Sequence, residues 1–185
     1  MGGIEKMRYE EYSFPYLSGE KVEILAKGES LFPQMGIKEG KIIVDFGCGP
    51  GAFTIPIARI VGKSGIVFAI DKNEKFLSDL KEMAEGEGLD NIKIIKVQDE
   101  GKLPLPTASV DVFLLFDVLH HLDWNKIFSE VKRITKPAGK ICVYPHHHLD
   151  REKLVEEVET FGLRLEKILT FSIYVFVVDD GMERG

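Results

Sequence analysis

Val44-Asp45-Phe46-Gly47-Cys48-Gly49-Pro50-Gly51 decides the reading of this 185-residue chain. Before it, Lys41-Ile42-Ile43-Val44 is a β-branched run that reads as a buried strand. After it, Ala52-Phe53-Thr54-Ile55-Pro56-Ile57-Ala58-Arg59-Ile60 reads as a helix. A strand, a glycine turn and a helix form the phosphate-, ribose- or zwitterion-binding corner of a doubly wound α/β sheet. Glycine serves such a turn because the backbone angles are unusual and a ligand must approach with no Cβ in its way. The glycines do not choose the ligand, since Gly47-x-Gly49-x-x-Ala52 also satisfies the dinucleotide fingerprint. Asp45 discriminates better: its carboxylate would repel a pyrophosphate and attract a ligand carrying an ammonium and a sulfonium.

Outward from this stretch, strands alternate with helices. Gly62-Lys63-Ser64-Gly65 is a turn, and Ile66 to Ile70 is a second strand ending at Asp71. Asn73 to Gly86 is amphipathic, with Phe76, Leu77, Leu80, Met83 and Ala84 on one face, and Gly86 and Gly88 stop it. Ile92 to Val97 is a third strand, and Gln98 to Ala108 is a loop punctuated by Pro104 and Pro106. Val110 to Phe116 is almost wholly apolar and so reads as a strand buried on both faces. Asp123 caps a helix whose inward stripe is Ile127, Phe128, Val131 and Ile134, and Lys136-Pro137-Ala138-Gly139 ends it. Lys140 to Tyr144 is a fifth strand, and Asp150 caps a last helix with Leu154, Val155, Val158 and Phe161 inward. Leu163 to Leu169 and Ser172 to Val178 are joined by a link short enough to force an antiparallel hairpin.

The expected fold is therefore α/β: one doubly wound, seven-stranded, mostly parallel sheet with a C-terminal antiparallel hairpin, over residues 36–178. Residues 1–35 read as a leader, a lid or a strap, with helical spacing at Val22, Leu25 and Ala26. Residues 179–185 read as a tail.

The acid followed by Gly47-Cys48-Gly49-Pro50-Gly51 resembles the first motif of class I S-adenosylmethionine-dependent methyltransferases, in particular the small-molecule branch that includes ubiquinone-biosynthesis-type enzymes. Three further motifs extend the resemblance over roughly residues 30 to 178. Asp71, followed by Lys72, ends the second strand, where an acid can accept both hydroxyls of a ribose. Asp99 precedes Leu103-Pro104 by four and five residues, as in the family. There it implies an acceptor for the adenine amino group, with the next backbone N–H, that of Glu100, toward the ring. Glu100 departs from the small residue usual at its position. Phe116-Asp117-Val118-Leu119-His120-His121-Leu122 matches a string that, in relatives, sits between cofactor and substrate, with the Phe116 main chain facing the methionine moiety. In the leader, Tyr16 is the candidate contact. The candidate cofactor-binding residues are thus Tyr16, Asp45, Gly47, Cys48, Gly49, Gly51, Asp71, Lys72, Asp99, Glu100 and Phe116, with S-adenosylmethionine as the implied cofactor.

All five histidines fall after the fourth and fifth strands, at His120-His121 and His146-His147-His148. They are expected to share one rim, with His121 and His146 as candidate general bases and Asp117 behind them. No metal site is expected, on the argument that consecutive residues cannot all aim at one ion. Cys48 and Cys142 show no CxxC spacing, so neither a disulfide framework nor a zinc site is expected, and Cys48 reads as a packing residue.

Net charge −6 and pI 5.4 give no general attraction to nucleic acid or to anionic membranes. No apolar run reaches the roughly 20 residues of a membrane span, and Met1-Gly2-Gly3-Ile4-Glu5-Lys6 has no apolar signal core. A cytoplasmic enzyme with a small-molecule acceptor is expected. A catalytically silent partner subunit and a nicotinamide-dependent oxidoreductase are the alternatives. Gln34 and Gln98 with Asn73, Asn91 and Asn125 are the only side-chain amides, against many Glu and Lys, a balance like that of hyperthermophile proteins.

Overall fold

The computed structural model describes Leu17 and residues 19–179. Among them, one sheet is built from β1 (Ile42–Phe46), β2 (Ile66–Asp71), β3 (Ile92–Lys96), β4 (Val110–Phe116), β5 (Thr135–Tyr144), β6 (Leu163–Leu169) and β7 (Ile173–Val178). Their spatial order is β3-β2-β1-β4-β5-β7-β6. The pairings from β3 across to β5 are parallel, and β7 is antiparallel to both β5 and β6. The expected sheet and its closing hairpin are both present. Strand order reverses between β1 and β4, so a crevice opens at the carboxyl ends of these two strands. Phe46 lies beside Leu115, and Phe116 beside Tyr144, which lines up the ends of β1, β4 and β5.

Period-two alternation decides what each face buries. In β4, Phe113 and Leu115 join Ile127, Phe128 and Val131 of α5 (Trp124–Ile134) and Leu154 and Val158 of α6 (Arg151–Thr160). Val112, Leu114 and Phe116 point the other way, toward Ile57 and Val61 of α3 (Thr54–Val61) and toward the leader. Leu77, Leu80 and Ala84 of α4 (Glu74–Gly86) pack with Ile55 and Cys48 on the α3 side. Asn73, Asp123 and Asp150 each cap a helix, their side chains accepting from two backbone N–H groups of the first turn.

The structure corrects three expectations. The helical spacing expected in the leader is interrupted over its described residues: α1 (Glu20–Ala26) ends at Lys27, α2 (Gly28–Leu31) restarts at once, and a 3-10 turn follows over Phe32–Met35. Its buried face is Ile24, Leu25 and Leu31, whereas Val22 is 44% exposed and Ala26 is also exposed. The face was chosen by contact with the sheet rather than by local spacing. The helix after the glycine turn starts at Thr54 rather than Ala52, which leaves Pro56 in the first turn where its missing N–H costs no hydrogen bond. β5 begins at Thr135, not Lys140: Thr135 pairs with Val110 and Lys140 with Val112. Residues 136–139 bulge out between those pairs, with Ala138 at φ 58. Asp111, opposite the bulge, accepts from the Ile42 N–H at 3.0 Å and pairs with Lys136 and Lys41.

Candidate active site

The glycine turn is held by backbone bonds. The N–H groups of Gly47 and Cys48 both donate to the Ile70 carbonyl, at 2.8 and 3.1 Å. Asp71 closes the other side, accepting from the Gly49 N–H at 2.9 Å through one oxygen and from the Asn73 N–H at 2.8 Å through the other. Each carboxylate oxygen keeps a second lone pair for an incoming hydroxyl. Lys72, next in sequence, is exposed.

The three glycines have different reasons to be glycine, although all have positive φ. A Cβ on Gly47 would meet Val118 Cγ2 at 2.6 Å, and one on Gly51 would run into Leu80 Cδ1. A Cβ on Gly49 would meet nothing within 4 Å among the described residues. Packing forbids side chains at Gly47 and Gly51, whereas Gly49 borders open space that a ligand can use.

Asp45 is 3% exposed and accepts a 2.6 Å hydrogen bond from Thr54 Oγ1. Burial pushes its pKa up to about 6, against the pull of the Thr54 bond and with a further push from the Asp71 charge. Cys48 is buried, its Sγ 3.5 Å from the Gly49 carbonyl, and burial holds its thiol well above the usual range. That environment suits packing and opposes a thiolate.

The loop after β3 is anchored from α5. Glu130, only 8% exposed, accepts from the Leu103 N–H at 2.7 Å and pairs with Arg133, which itself donates to the Leu103 and Leu105 carbonyls. Glu100 accepts from the Asp123 N–H. Asp99 is exposed and bonded to the Gly101 N–H and Lys126, which hold its carboxyl below the usual range. The Asp99 carboxylate thus meets an adenine amino group only in competition with Lys126.

The rim after β4 and β5 is built differently. Phe116 is buried edge-on to Phe53, with ring centroids 5.0 Å apart. Asp117 follows at φ 54, its N–H donating to the Tyr144 carbonyl at 2.8 Å. Its Oδ2 pairs with Lys21, and its Oδ1 is buried with no hydrogen-bond partner among the described residues. His120 and His121 end a 3-10 turn over Leu119–His121, with ring centroids 3.8 Å apart, and the His120 ring lies 4.4 Å from that of His146. Burial, then the neighbouring His121 and His146, push the His120 pKa down. A cleft of about 340 Å³ is lined by Glu20, Lys21, Asp117, Tyr144, Pro145, His146, His147 and Arg151, a volume at the small end of ligand sites. His146 lines it and His121, which is exposed, does not. Tyr144 donates to Glu20 at 3.0 Å, and burial followed by that carboxylate pushes its phenol up to about 12.

The expected gathering of histidines is present. The steric argument against a shared ion fails, because ligand atoms of His146, His147 and His148 all lie within 4.8 Å of one another. Tyr16 lies outside the described residues. Sequence reasoning missed Glu20, Lys21, Tyr144, Arg151 and Thr54. Only Thr54 carried a signal, as a hydroxyl amid apolar residues nine positions after Asp45.

Residues 44–143 match the family described as the methyltransferase domain, and the chain belongs to that family, within the class I S-adenosylmethionine-dependent methyltransferases. It is 31% identical over 116 residues to a demethylmenaquinone methyltransferase of Lactobacillus johnsonii, covering 62% of this chain and 48% of that one. It is 33% identical over 112 residues to the enzyme of the same name from Geobacillus stearothermophilus, covering 60% and 47%. The chain thus aligns with about half the length of these curated relatives. A crystal structure of a SAM-dependent methyltransferase from Aquifex aeolicus superposes with TM-score 0.72 at 23% identity, covering 88% of this chain and all of that one. Among the described residues, no helix is long and apolar enough to cross a membrane.

Proposed function

We propose that this chain is a cytoplasmic enzyme that transfers a methyl group from S-adenosylmethionine to a small-molecule acceptor. The observation that carries the reading is the open space at Gly49, flanked by the buried carboxylate of Asp45 and by Asp71 with free lone pairs. In this reading Asp45 meets the ammonium, Asp71 accepts from the ribose, the Glu100 backbone and Asp99 flank the adenine, and Phe116 walls the methionine end. S-adenosylmethionine supplies a methyl on a sulfonium, already a good leaving group, so the chain contributes alignment and, for a protonated acceptor, a base. His146, in the cleft, is the better placed base; His121 is the second.

The cleft carries Lys21, Arg151 and Asp117, which favours a compact polar acceptor over nucleic acid. Within the leader at 1–35, the described residues 19–35 act as a lid on the catalytic domain at 36–178, a role supported by the ties of Glu20 to Tyr144 and of Lys21 to Asp117.

Calorimetry tests the reading: S-adenosylmethionine and S-adenosylhomocysteine should bind and NAD should not. Tight NAD binding without adenosylmethionine binding would overturn it in favour of an oxidoreductase. Turnover of labelled donor against a metabolite panel then separates an enzyme from a silent subunit.

A further inference from the structure

Asp117, beside the histidines, has a buried Oδ1 with no hydrogen-bond partner among the described residues. One ligand atom each from Asp117, His120 and His146 all lie within 4.8 Å of one another. We propose that these three residues form a binding site for a first-row divalent metal ion, of the zinc, cobalt or nickel kind, on the wall of the acceptor cleft.

The donor set suits that class of ion. Two imidazoles and one carboxylate are borderline ligands, used by zinc in catalytic sites that keep further positions open. The three residues come from separate segments, each fixed by the fold. Asp117 follows β4 and is tied by its N–H to the Tyr144 carbonyl. His120 ends a 3-10 turn whose buried Leu119 anchors it in the core. His146 follows β5 after the buried Pro145. A tetrahedral ion with bonds of about 2.0–2.1 Å sets its ligands about 3.3 Å apart. Side-chain rotation covers that closure, since His120 is exposed.

The local contacts leave the site available. Lys21 pairs with Oδ2 of Asp117, leaving Oδ1 for the ion. His146 Nδ1 accepts from the His148 N–H at a long 3.4 Å, and binding through either ring nitrogen gives up only that contact. The alternative set, His146 with His147 and His148, lies on one exposed loop and has no carboxylate to offset the ion's charge.

Asp117 and His146 line the cleft, so an acceptor hydroxyl or thiol there would become the ion's further ligand. Coordination lowers the pKa of a bound O–H or S–H, and the proton leaves to solvent. His146 then serves as a ligand rather than as a base. That consequence rests on the methyl-transfer reading; the metal site itself does not.

Chelator-dialysed protein should be titrated with Zn²⁺ against a chromogenic chelator and, separately, with Co²⁺ while the visible d–d bands are recorded. One equivalent should bind, with cobalt bands of a low-coordinate nitrogen and oxygen site. His120→Ala and Asp117→Asn should each weaken binding at least about 10-fold, by analogy with the loss of supporting groups around metals. The double variant His147→Ala with His148→Ala should stay within about 3-fold. Loss of affinity only in that double variant would assign the metal to the loop and overturn the proposal, as would no one-equivalent binding in the wild type. S-adenosylhomocysteine titration of the same samples checks the fold. Retained cofactor binding without metal binding would sink this inference alone. Asn tolerates positive φ, and His120 is on an exposed turn, so should Asp117→Asn fail to fold, His120→Ala decides.

Discussion

The corner after β1 and the rim after β4 and β5 occupy the same sheet edge but are built on opposite plans. At the corner, each carboxylate is already held by the fold, Asp71 by two backbone N–H groups and Asp45 by Thr54, with lone pairs left over for a ligand. At the rim, Asp117 keeps a buried oxygen unpartnered and five imidazoles lie ring against ring. The corner is a receptacle already held in shape, whereas the rim keeps a buried acceptor that the fold does not hold. Binding of a constant molecule suits the first plan, and chemistry on a variable one suits the second.

The largest expected break in this contrast is kinetic. Once an acceptor is known, His146→Ala should cut turnover about 10²–10⁴-fold, the usual range for an acid–base group, with cofactor affinity unchanged, whether the imidazole takes the acceptor's proton itself or holds the ion that acidifies it. Near-wild-type turnover would make His146 part of the lining only. At the corner, Asp71→Ala should weaken S-adenosylhomocysteine binding by about 1–3 kcal/mol through unpaired ribose hydroxyls, measured by calorimetry. It should also lower stability, because the N–H groups of Gly49 and Asn73 lose their acceptor.

The glycines sharpen the corner further. Gly47→Ala should destabilise the fold by about 2–5 kcal/mol, adding a positive-φ penalty of about 1–2 to overpacking against Val118 of about 1–3. Gly49→Ala should show only the first part, while Gly49→Val should abolish cofactor binding in a folded protein. Denaturant unfolding and calorimetry on the three variants test this; equal destabilisation at both positions would remove the distinction.

Asp45 gives an effect that depends on pH. Its folded pKa of about 6 lies above the ordinary 3.8 of an aspartate, so the native state holds the extra proton. Its contribution is therefore most favourable at low pH and falls as pH rises from about 4 to 6, by about 3 kcal/mol at 1.36 kcal/mol per unit. Asp45→Asn should accordingly stabilise the ligand-free protein at pH 7.5, and the gain should shrink toward pH 4.5 in urea titrations. Cofactor binding to wild type should release a proton near pH 6. The composition predicts a thermal midpoint above the roughly 45–65 °C of mesophile domains; a midpoint within that range would count against this.

The sheet was legible because its signals are local. Val110–Phe116 is apolar at nearly every position, and Asp123 and Asp150 sit where caps must sit. Residues whose role is set at long range were hidden. Val22 has helical spacing yet points outward, because the sheet selected Ile24 and Leu25. Lys136-Pro137-Ala138-Gly139 reads as the end of a helix, but Thr135 already pairs with β4 and the stretch bulges out of a strand. Glu130 and Arg133, three apart, look like a solvated pair until the loop at Leu103 folds over them. Of the candidate site, the corner was readable as a motif. The convergence of Asp117, His120 and His146 depends on β4 and β5 being neighbours, and the part of Glu20 and Lys21 depends on where the leader lands.

The double grip of Asp71 has a consequence for the thermodynamics of association. A loop that must order itself around a ligand surrenders conformational entropy at that moment, which subtracts from affinity. Here the Gly49 and Asn73 N–H groups are already fixed to one carboxylate before any ligand arrives. The turn therefore enters the complex as a rigid body, and ordering of the corner takes little from the contacts its residues make.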